Sequence, residues 1–226
     1  MKIRLNHVVK LLALAGAMTA ASVASAQSAG AWLGTIGINK ISPKVESGNI
    51  SAPALPDTKA AVGDDTKPIF NIAYMFTDHV STELDLGVPY TSEFIGDGSI
   101  KGAGKLGTSD VLPPTLFIQY RFLDAGAKFR PYVGLGATYA YFRKETGSGQ
   151  LTALINTGGP ATSFSLKNKA AVSFQLGASV ALNQRWFASV GVIKTYLKTT
   201  ATYSTGQTQD IKLDPVSMNV GIGYRF

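Results

Sequence analysis

The sequence contains no cysteine, and this absence removes several classes of protein from consideration. Without thiols there is no disulfide framework, no cysteine-ligated zinc site and no cysteine nucleophile. Charged residues are also scarce: they make up 15% of the 226 residues, whereas an average soluble domain has about 25%. A disordered chain shows much charge and little apolar content, so the 45% of hydrophobic residues excludes disorder for the chain as a whole.

Long hydrophobic runs are missing as well, apart from one near the start. Residues 11–21 are apolar, follow three basic residues and precede the small residues Ala-Ser-Ala at 24–26. That order is typical of a secretory signal peptide. An uncleaved anchor is the alternative, but the run is shorter than the roughly 20 residues that span a membrane. We therefore expect residues 1–26 to be removed and residues 27–226 to form a single exported domain.

The excess of positive charge is concentrated in this leader. Its loss removes Lys2, Arg4 and Lys10 with no acidic residue, so the formal net charge falls from +7 to +4. A strong basic excess would favour nucleic acid as a partner, and the exported part of the chain keeps little of it. We expect no nucleic-acid partner.

The exported part is dominated by a pattern with a period of two, which predicts β-strands. Apolar residues alternate with small or polar ones in six segments, at residues 69–76, 83–90, 116–122, 132–141, 172–182 and 216–226. Two weaker segments, residues 32–41 and 186–203, raise the number to eight. The pattern predicts an all-β fold, an eight-stranded antiparallel transmembrane β-barrel. A soluble β-sandwich is the alternative, but its outer face would carry more charge.

The links between these segments alternate in length. Short links lie at residues 77–79, 123–128 and 183–184. Long ones, rich in Gly, Ser, Pro and Asp, lie at residues 42–66, 94–111 and 145–166. Short periplasmic turns and long extracellular loops are typical of bacterial outer-membrane barrels. Within the third long segment, residues 151–155 fit either a helical turn or a plain loop.

Five short motifs occur in order along the exported chain. They are Tyr74-Met75-Phe76-Thr77-Asp78, Leu112-Pro113-Pro114-Thr115-Leu116, Arg130-Pro131-Tyr132-Val133-Gly134, Lys212-Leu213-Asp214-Pro215 and Gly221-Ile222-Gly223-Tyr224-Arg225-Phe226. As a set they resemble the OmpW family of outer-membrane proteins. The resemblance implies a barrel in the bacterial outer membrane with a narrow, largely hydrophobic lumen. It also implies passage of small hydrophobic molecules, as in AlkL-like members linked to alkane uptake, and a sideways route into the membrane.

Partners follow from the same pattern. We expect outer-membrane lipids and lipopolysaccharide around the barrel and small hydrophobic solutes inside it. Basic residues near the long segments, such as Lys101 and Arg143, either pair with anionic head groups or only solubilise the loops. The terminal aromatic residue Phe226 looks like the signal that is read by the barrel-assembly machinery.

The exported chain offers little for catalysis. Its single histidine, His79, lies beside Asp78 in a predicted turn. A hydrolase needs a base beside a nucleophile, and a zinc site needs several ligands. We expect no enzyme activity, no metal and no cofactor.

Charged residues on the inner face of the predicted barrel fall near its periplasmic end. Buried charges must be paired, so we expect a network in which Glu83 and Asp85 face Arg121 and Arg225. Such a network either acts as a gate or only fills a narrow barrel, and both interpretations exclude an open aqueous pore. Further inward-facing residues are candidates for lining a solute path: Leu33, Asn71, Met75, Phe117 and Gln175.

Prolines interrupt the extracellular half of the predicted wall. Pro89 ends one strand, and Pro113 and Pro114 begin its hairpin partner. Proline cannot donate to a strand ladder, and unpaired backbone is costly in hydrocarbon. We hypothesise a lateral opening at these three residues; the alternative is that they only end strands. The sequence thus predicts a passive conduit for small hydrophobic molecules, with a structural, adhesion or receptor barrel as the alternative.

Overall fold

The computed structural model describes residues 27–54 and 56–226, so the predicted signal peptide lies outside the described residues. None of the helices in these residues is long and apolar enough to cross a membrane. The strands and the helix are β1 (Trp32–Ser42), β2 (Glu46–Ser47), β3 (Thr58–Val62), β4 (Asp65–Met75), β5 (Val80–Gly87), β6 (Tyr90–Gly98), β7 (Lys105–Leu112), β8 (Thr115–Arg121), β9 (Phe129–Gly147), α1 (Gly149–Ile155), β10 (Phe164–Leu166), β11 (Lys169–Ala181), β12 (Trp186–Tyr196), β13 (Lys198–Tyr203), β14 (Thr208–Lys212) and β15 (Val216–Arg225).

Eight of the described strands close into an antiparallel barrel. Their hydrogen-bonded order is β1, β4, β5, β8, β9, β11, β12 and β15, and β15 pairs with β1 to complete the ring. The pairing of β1 with β15 is unbroken from Leu33–Arg225 to Ser42–Val216. The structure therefore confirms the predicted eight-stranded barrel.

The two faces of the barrel wall differ because successive side chains of a strand point to opposite sides. In β8 buried and exposed residues alternate without a break: Phe117 has no exposed surface, whereas Ile118 is 66% exposed. The outer face carries a belt of exposed apolar residues, among them Ile36, Phe70, Leu116, Leu135, Phe174, Leu176, Val190, Met218, Val220 and Ile222. An apolar belt of this kind is the surface that lipid requires.

Aromatic side chains cluster at the periplasmic end of this belt. Trp186 packs against Tyr224 with ring centroids 4.9 Å apart, and Tyr224 packs against Phe226 at 5.2 Å. On the other side of the barrel, Tyr120 packs against Phe122 at 5.1 Å. Aromatic girdles mark the membrane interface of such barrels, because one part of each ring system is apolar and another tolerates water.

The long connections are not loops, so this part of the sequence-based prediction is wrong. Seven further strands and α1 lie between the barrel strands, in residues 43–64, 88–114, 148–168 and 197–215. The last stretch includes β13, which was predicted to continue the strand of residues 186–203. Strands β3, β6 and β7 extend the barrel wall beside the end of β9, while β10, β13, β14 and β2 form a separate four-stranded sheet. We call these seven strands, α1 and the last residues of β9 the extracellular cap.

The extracellular cap has a hydrophobic core of its own. Phe94 of β6 and Phe164 of β10 lie with ring centroids 5.5 Å apart, which joins the two sheets. Helix α1 covers this core with Leu151, which is 1% exposed, and Ser148 accepts a hydrogen bond from the Leu151 N–H at the start of the helix. Two sheets that face each other across apolar side chains have the arrangement of a small β-sandwich.

Candidate functional site

The periplasmic half of the lumen is filled by polar side chains from β5, β8 and β11. Glu83 accepts hydrogen bonds from Nε2 of Gln119 at 2.7 Å and from Nε2 of Gln175 at 3.1 Å. Arg121 donates to Gln119 Oε1 at 2.7 Å and to Ser81 Oγ at 3.2 Å. Its guanidinium also lies 3.9 Å from Glu83 Oε2. We call these five residues the polar network; it satisfies two buried charges that would otherwise be costly.

The first residue that the structure describes closes this network from the periplasmic side. Gln27 is 2% exposed, and its Oε1 atom accepts a hydrogen bond from Arg121 at 3.0 Å. Its Nε2 atom donates to Ser179 Oγ at 2.9 Å, and its backbone carbonyl accepts from Arg130 Nη1 at 2.6 Å. The lumen is therefore packed with side chains at this end.

Only part of the predicted charge network is formed. Glu83 and Arg121 lie together, and Arg225 donates to the hydroxyl of Ser28 at 2.9 Å. Asp85 makes no ion pair with any described residue, so the predicted pairing of Asp85 with a guanidinium is wrong. The physical reason is position. Glu83 lies two residues closer to the periplasm than Asp85, and it accepts the hydrogen bonds of Gln119 and Gln175 and lies beside Arg121. The Asp85 carboxyl faces Glu83 instead.

The residues predicted to line a path are all buried on the inner face, with exposed fractions of 2% for Leu33, 6% for Asn71, 0% for Met75, 0% for Phe117 and 4% for Gln175. Leu33 and Met75 pack together in a small apolar cluster near the periplasmic end. Phe117 fills the space that Gly136 leaves, where an added Cβ would lie 2.5 Å from its ring. Met75, Phe117 and Gln175 therefore fill the lumen instead of lining an open space in it.

Above the polar network the lumen widens into a cavity of about 970 Å³, part of which is open to solvent. Most of its lining is apolar and includes Ile41, Ile69, Val111, Phe142, Leu197 and Leu213. The few polar groups include Asp85 and Asn39, and Asn39 Nδ2 donates to the Tyr90 hydroxyl at 2.8 Å. A concave, mostly apolar space with a few polar groups is typical of a site for small molecules.

One side of this cavity coincides with a break in the barrel wall. The ladder between β4 and β5 ends at Ile69–Gly87, and the ladder between β3 and β6 begins at Val62–Phe94. Between them, residues 63–68 and 88–93 share two hydrogen bonds among the described residues: Gly63 N–H to the Glu93 carbonyl at 3.1 Å and Thr91 N–H to Asp65 Oδ2 at 2.8 Å. We call this break the β4–β6 gap.

The cavity and the β4–β6 gap meet at the end of β5. Leu86 and Gly87 line the cavity, and Leu86 is also 40% exposed on the outer face of the wall. Leu86 therefore belongs to the cavity lining and also to the exposed surface of the wall.

The three prolines have different roles in the wall. Pro89 lies in the β4–β6 gap, where β5 ends and β6 begins. Pro113 and Pro114 separate β7 from β8, but β9 continues past them, with Tyr139 N–H donating to the Pro114 carbonyl at 3.0 Å. A proline carbonyl still accepts, so the wall stays hydrogen-bonded on the β9 side. On the other side the β5–β8 ladder ends at Asp85–Thr115 and the β6–β7 ladder begins at Tyr90–Val111, so the opening at Pro113 and Pro114 stays a prediction. Pro113 also contributes to the lining of the cavity.

Sequence reasoning missed most of the cavity lining. Tyr90 shares the alternation of Leu84, Leu86 and Val88, yet it is buried, at 4% exposure, because the chain restarts as a new strand after Pro89. Pro89 was the signal in the sequence that one strand ends here and that the alternation of inward and outward side chains starts again in the next strand.

The described residues offer little for metal or nucleophilic chemistry. In residues 27–54 and 56–226 no group of three or more His, Asp and Glu side chains is placed to hold a metal ion. His79 accepts or donates one hydrogen bond through Nδ1, with the Arg121 carbonyl at 2.9 Å, and its ring stacks on Tyr120. Its surroundings are those of a turn residue.

A closed barrel of eight antiparallel strands, with an apolar belt outside and a polar filling inside, is an outer-membrane β-barrel. The OmpW family model matches residues 28–226, and the chain belongs to the OmpW family. This confirms the family resemblance of the motifs and the location in the outer membrane.

Known relatives span nearly the whole chain. The chain is 30% identical to outer membrane protein W of Vibrio cholerae, over 95% of this chain and 97% of the relative. It is 29% identical to outer membrane protein AlkL of Ectopseudomonas oleovorans, over 87% of this chain and 83% of the relative. The crystal structure of OprG from Pseudomonas aeruginosa is similar with a TM-score of 0.80 and 28% identity, over 89% of this chain and 98% of that chain.

Proposed function

We propose that this protein is a passive conduit through which small hydrophobic molecules cross the outer membrane. A solute would bind in the cavity above the polar network and leave sideways through the β4–β6 gap into the bilayer. The observation that carries this proposal is the position of Leu86, which belongs both to the cavity lining and to the outer face of the wall.

The two ends of the lumen support a sideways route. Toward the periplasm, Gln27, Arg121 and Arg130 occupy the lumen with buried, hydrogen-bonded side chains. An apolar solute would have to disrupt these bonds and desolvate charges in order to pass, which is far more costly than moving into lipid. In the gap, by contrast, it would meet Ile69 and Leu86 and then hydrocarbon. The likeness to AlkL and OprG, which are outer-membrane barrels, is consistent with this function.

Sealing the β4–β6 gap tests the route. Asp65 and Thr91 face each other across it, so Asp65→Cys with Thr91→Cys can be joined by a short bis-methanethiosulfonate, which forms a reducible disulfide with each thiol and releases methanesulfinate. The chain has no cysteine of its own, so the reagent reacts only at the introduced pair. Uptake of a labelled apolar tracer is measured in a strain that lacks the protein and is complemented with each variant. We expect cross-linking to abolish the protein-dependent uptake and reduction to restore it.

A matched pair across an intact seam controls for the cross-linking itself. Lys40 and Met218 are register partners in the continuous β1–β15 ladder and are both exposed. Joining Lys40→Cys to Met218→Cys should leave uptake unchanged. If the sealed gap transports as well as the reduced one, the lateral exit is wrong. If uptake is the same with and without the protein, the barrel serves as a structural or receptor protein instead.

Partners of the barrel are part of the same proposal. Its apolar belt supports a position in the outer-membrane bilayer, and the basic residues of the extracellular cap would pair with the anionic groups of lipopolysaccharide. Phe226 is 77% exposed beside Tyr224, as a terminal aromatic read by the barrel-assembly machinery should be.

A further inference from the structure

The four-stranded sheet of the extracellular cap carries lysines at the edge that is nearest to the barrel. Strand β13 begins at Lys198, two residues after the barrel strand β12 ends at Tyr196. Lys212, at the end of β14, is the register partner of Lys198. Their neighbours Thr199 and Ile211 are buried, at 3% and 2% exposure, so both lysine side chains lie on the outer face of the sheet. Two positive charges are therefore directly opposite each other on one surface.

Like charges at directly opposed positions destabilise a pair of strands. Lys212 is compensated in part, because its Nζ lies 2.7 Å from Glu46 Oε2 and 3.8 Å from Asp214 Oδ2. Lys198 forms no ion pair with any residue that the structure describes, and it is exposed. An anion bound beside Lys198 would therefore remove a repulsion that the chain itself leaves in place.

Two more lysines extend the positive surface to either side. Lys167 follows β10 on the outer face, and its N–H donates to the Thr200 carbonyl of β13 at 3.1 Å. Lys194 lies on the outer face of β12, where its Nζ is 5.6 Å from the ring centre of Tyr196 and donates to the Asp214 carbonyl. Within residues 27–54 and 56–226, neither lysine forms an ion pair. We call these four residues the lysine edge: Lys167, Lys194, Lys198 and Lys212.

The carboxylates near the lysine edge do not balance its β10 side. Glu46 and Asp214 both lie beside Lys212, and Asp214 Oδ1 also accepts from the Leu197 N–H at 2.9 Å. Asp210 is the register partner of Thr200, farther from the barrel than Lys198. Its Oδ1 atom accepts from the Thr200 hydroxyl at 2.8 Å. The excess of positive charge is thus greatest around Lys198 and Lys167.

The apolar belt ends directly below the lysine edge. Phe174 and Val172 are the register partners of Lys194 and Tyr196 on β11, and they are 52% and 50% exposed on the outer face of the barrel. A lysine at such a boundary keeps its stem along the apolar surface and its ammonium group in the polar layer, as Lys194 does by reaching the Asp214 carbonyl. Tyr196 beside it is an aromatic residue of the kind that marks the membrane interface. The lysine edge is therefore at the level of lipid head groups.

We infer that the lysine edge binds a phosphate group of lipid A, the membrane-embedded part of lipopolysaccharide, with Lys198 and Lys167 as its main contacts. This inference deepens the partner part of the proposed function and rests on the position in the outer-membrane bilayer that it gives the barrel. Phosphate oxygens accept charge-assisted hydrogen bonds from ammonium groups, and the acyl chains of the same lipid would cover Phe174 and Val172. The site thus matches both the charge and the apolar part of one molecule.

Binding of purified lipid A tests the inference. The purified barrel in a non-ionic detergent is titrated with lipid A and with its dephosphorylated form, and calorimetry gives the dissociation constant of each. We expect lipid A to bind about twentyfold more tightly, because each of two lysines at an anionic lipid surface contributes a factor of about five. The difference should shrink at high salt, since exposed charges are screened.

Substitutions at the surface separate a site from diffuse charge. Lys198→Gln should weaken the binding of lipid A about fivefold and leave the binding of the dephosphorylated form unchanged. Lys198→Arg keeps the charge and should retain most of the affinity. Lys101→Gln is the matched control, because Lys101 is an exposed lysine between β6 and β7, in the other sheet. It should bind lipid A like the wild type, and a heat-modifiable gel shift shows that each variant forms the barrel.

Three results would overturn the inference. Equal affinity for lipid A and its dephosphorylated form would mean that no phosphate is recognised. Equal losses in Lys198→Gln and Lys101→Gln would mean that the lysines act only as diffuse charge. If inorganic phosphate binds as tightly as lipid A, the site takes the free anion and the lipid assignment is wrong. Each of these results leaves the conduit standing, because tracer uptake is measured separately, and a failure of tracer uptake does not change the affinity for lipid A.

Discussion

The periplasmic half and the extracellular half of this barrel are filled by side chains of opposite polarity. In the periplasmic half the wall is a continuous ladder, and Ser81, Gln119 and Arg121 meet inside it in a hydrogen-bonded network. In the extracellular cap the strands are short and broken, and residues such as Phe94 and Phe164 meet in an apolar core.

The difference shows that the polarity of the interior is opposite to the polarity of the outer face of the same strands. A strand that crosses lipid has an apolar outer face, so its alternate residues leave mainly polar side chains for the lumen. The strands of the cap lie above the belt and expose residues such as Lys198 and Asp210, so their inner faces are free to be apolar. The cavity lies between the polar network and the apolar core of the extracellular cap, so its wall is mostly apolar and its floor is polar.

Removing Arg121 should have the largest effect, because it breaks the polar half at its centre. Arg121→Leu leaves Gln27, Ser81 and Glu83 without their buried partner. Loss of one member of a buried charge pair costs about 3–5 kcal/mol. We expect a decrease of that size in the free energy of unfolding, measured with urea in lipid or detergent. Arg185→Leu is the control: Arg185 is exposed and bonds Tyr224 at the surface, so its loss should have little effect. Equal effects of the two would mean that the network does not stabilise the barrel.

Removing Leu151 should loosen the apolar half and leave the polar half intact. The side chain is 1% exposed in the core of the extracellular cap, and Leu→Ala in a core costs at least about 2 kcal/mol. We expect faster hydrogen exchange of the β6 and β7 amides in Leu151→Ala, with unchanged exchange in β8 and β15. Ala153→Ser, an exposed change on the same helix, should leave all four strands as they are. Faster exchange throughout the barrel would show that the two halves unfold as one unit.

Adding a methyl group at Gly136 should destabilise the polar half by a smaller amount. The new Cβ would lie 2.5 Å from Phe117 Cδ1 and 2.8 Å from the Leu116 carbonyl, and overpacking of this kind costs about 1–3 kcal/mol. Urea unfolding of Gly136→Ala measures the loss. Gly149→Ala introduces the same atom at the start of α1 with nothing within 4 Å, and its unfolding free energy should not fall. A neutral Gly136→Ala would show that Phe117 has room to move.

The barrel was predictable from the sequence because six of its eight strands keep one strict alternation over many residues, as residues 216–226 do. The extracellular cap was not, because strands such as β2 and β10 are only two and three residues long and lie among Gly, Ser and Pro. Strands of that length carry no readable period, and they are held by a core assembled from distant parts of the chain.

The candidate site was predictable only in part, for a related reason. Alternation places Glu83 and Asp85 on one face, but it does not say which of them meets Arg121. That choice is made by Gln119 and Gln175, uncharged residues of other strands whose amides converge on Glu83. It leaves Asp85 to face the cavity, a position that depends on register between strands and not on the sequence of any one of them.

The smallest effect is expected at the surface of the extracellular cap, where Lys212 of β14 and Glu46 of β2 lie 2.7 Å apart. The hydrogen bond and the positive charge of Lys212 lower the pKa of Glu46 below its ordinary value of 4.5. A carboxyl group whose pKa is lowered by folding adds stability above its unfolded pKa and loses it as the pH falls through the folded value. Because both side chains contact water, this contribution is small, and Glu46→Gln should leave the unfolding transition at neutral pH unchanged.

A carboxyl NMR titration should give a Glu46 midpoint below 4.5 that rises in Lys212→Gln and moves much less in Lys198→Gln, since Lys198 acts only through its more distant charge. A midpoint that is the same in both variants would mean that the Lys212–Glu46 pair does not form in solution. Of these two pairs, only the buried pair of Arg121 and Glu83 would then contribute to stability.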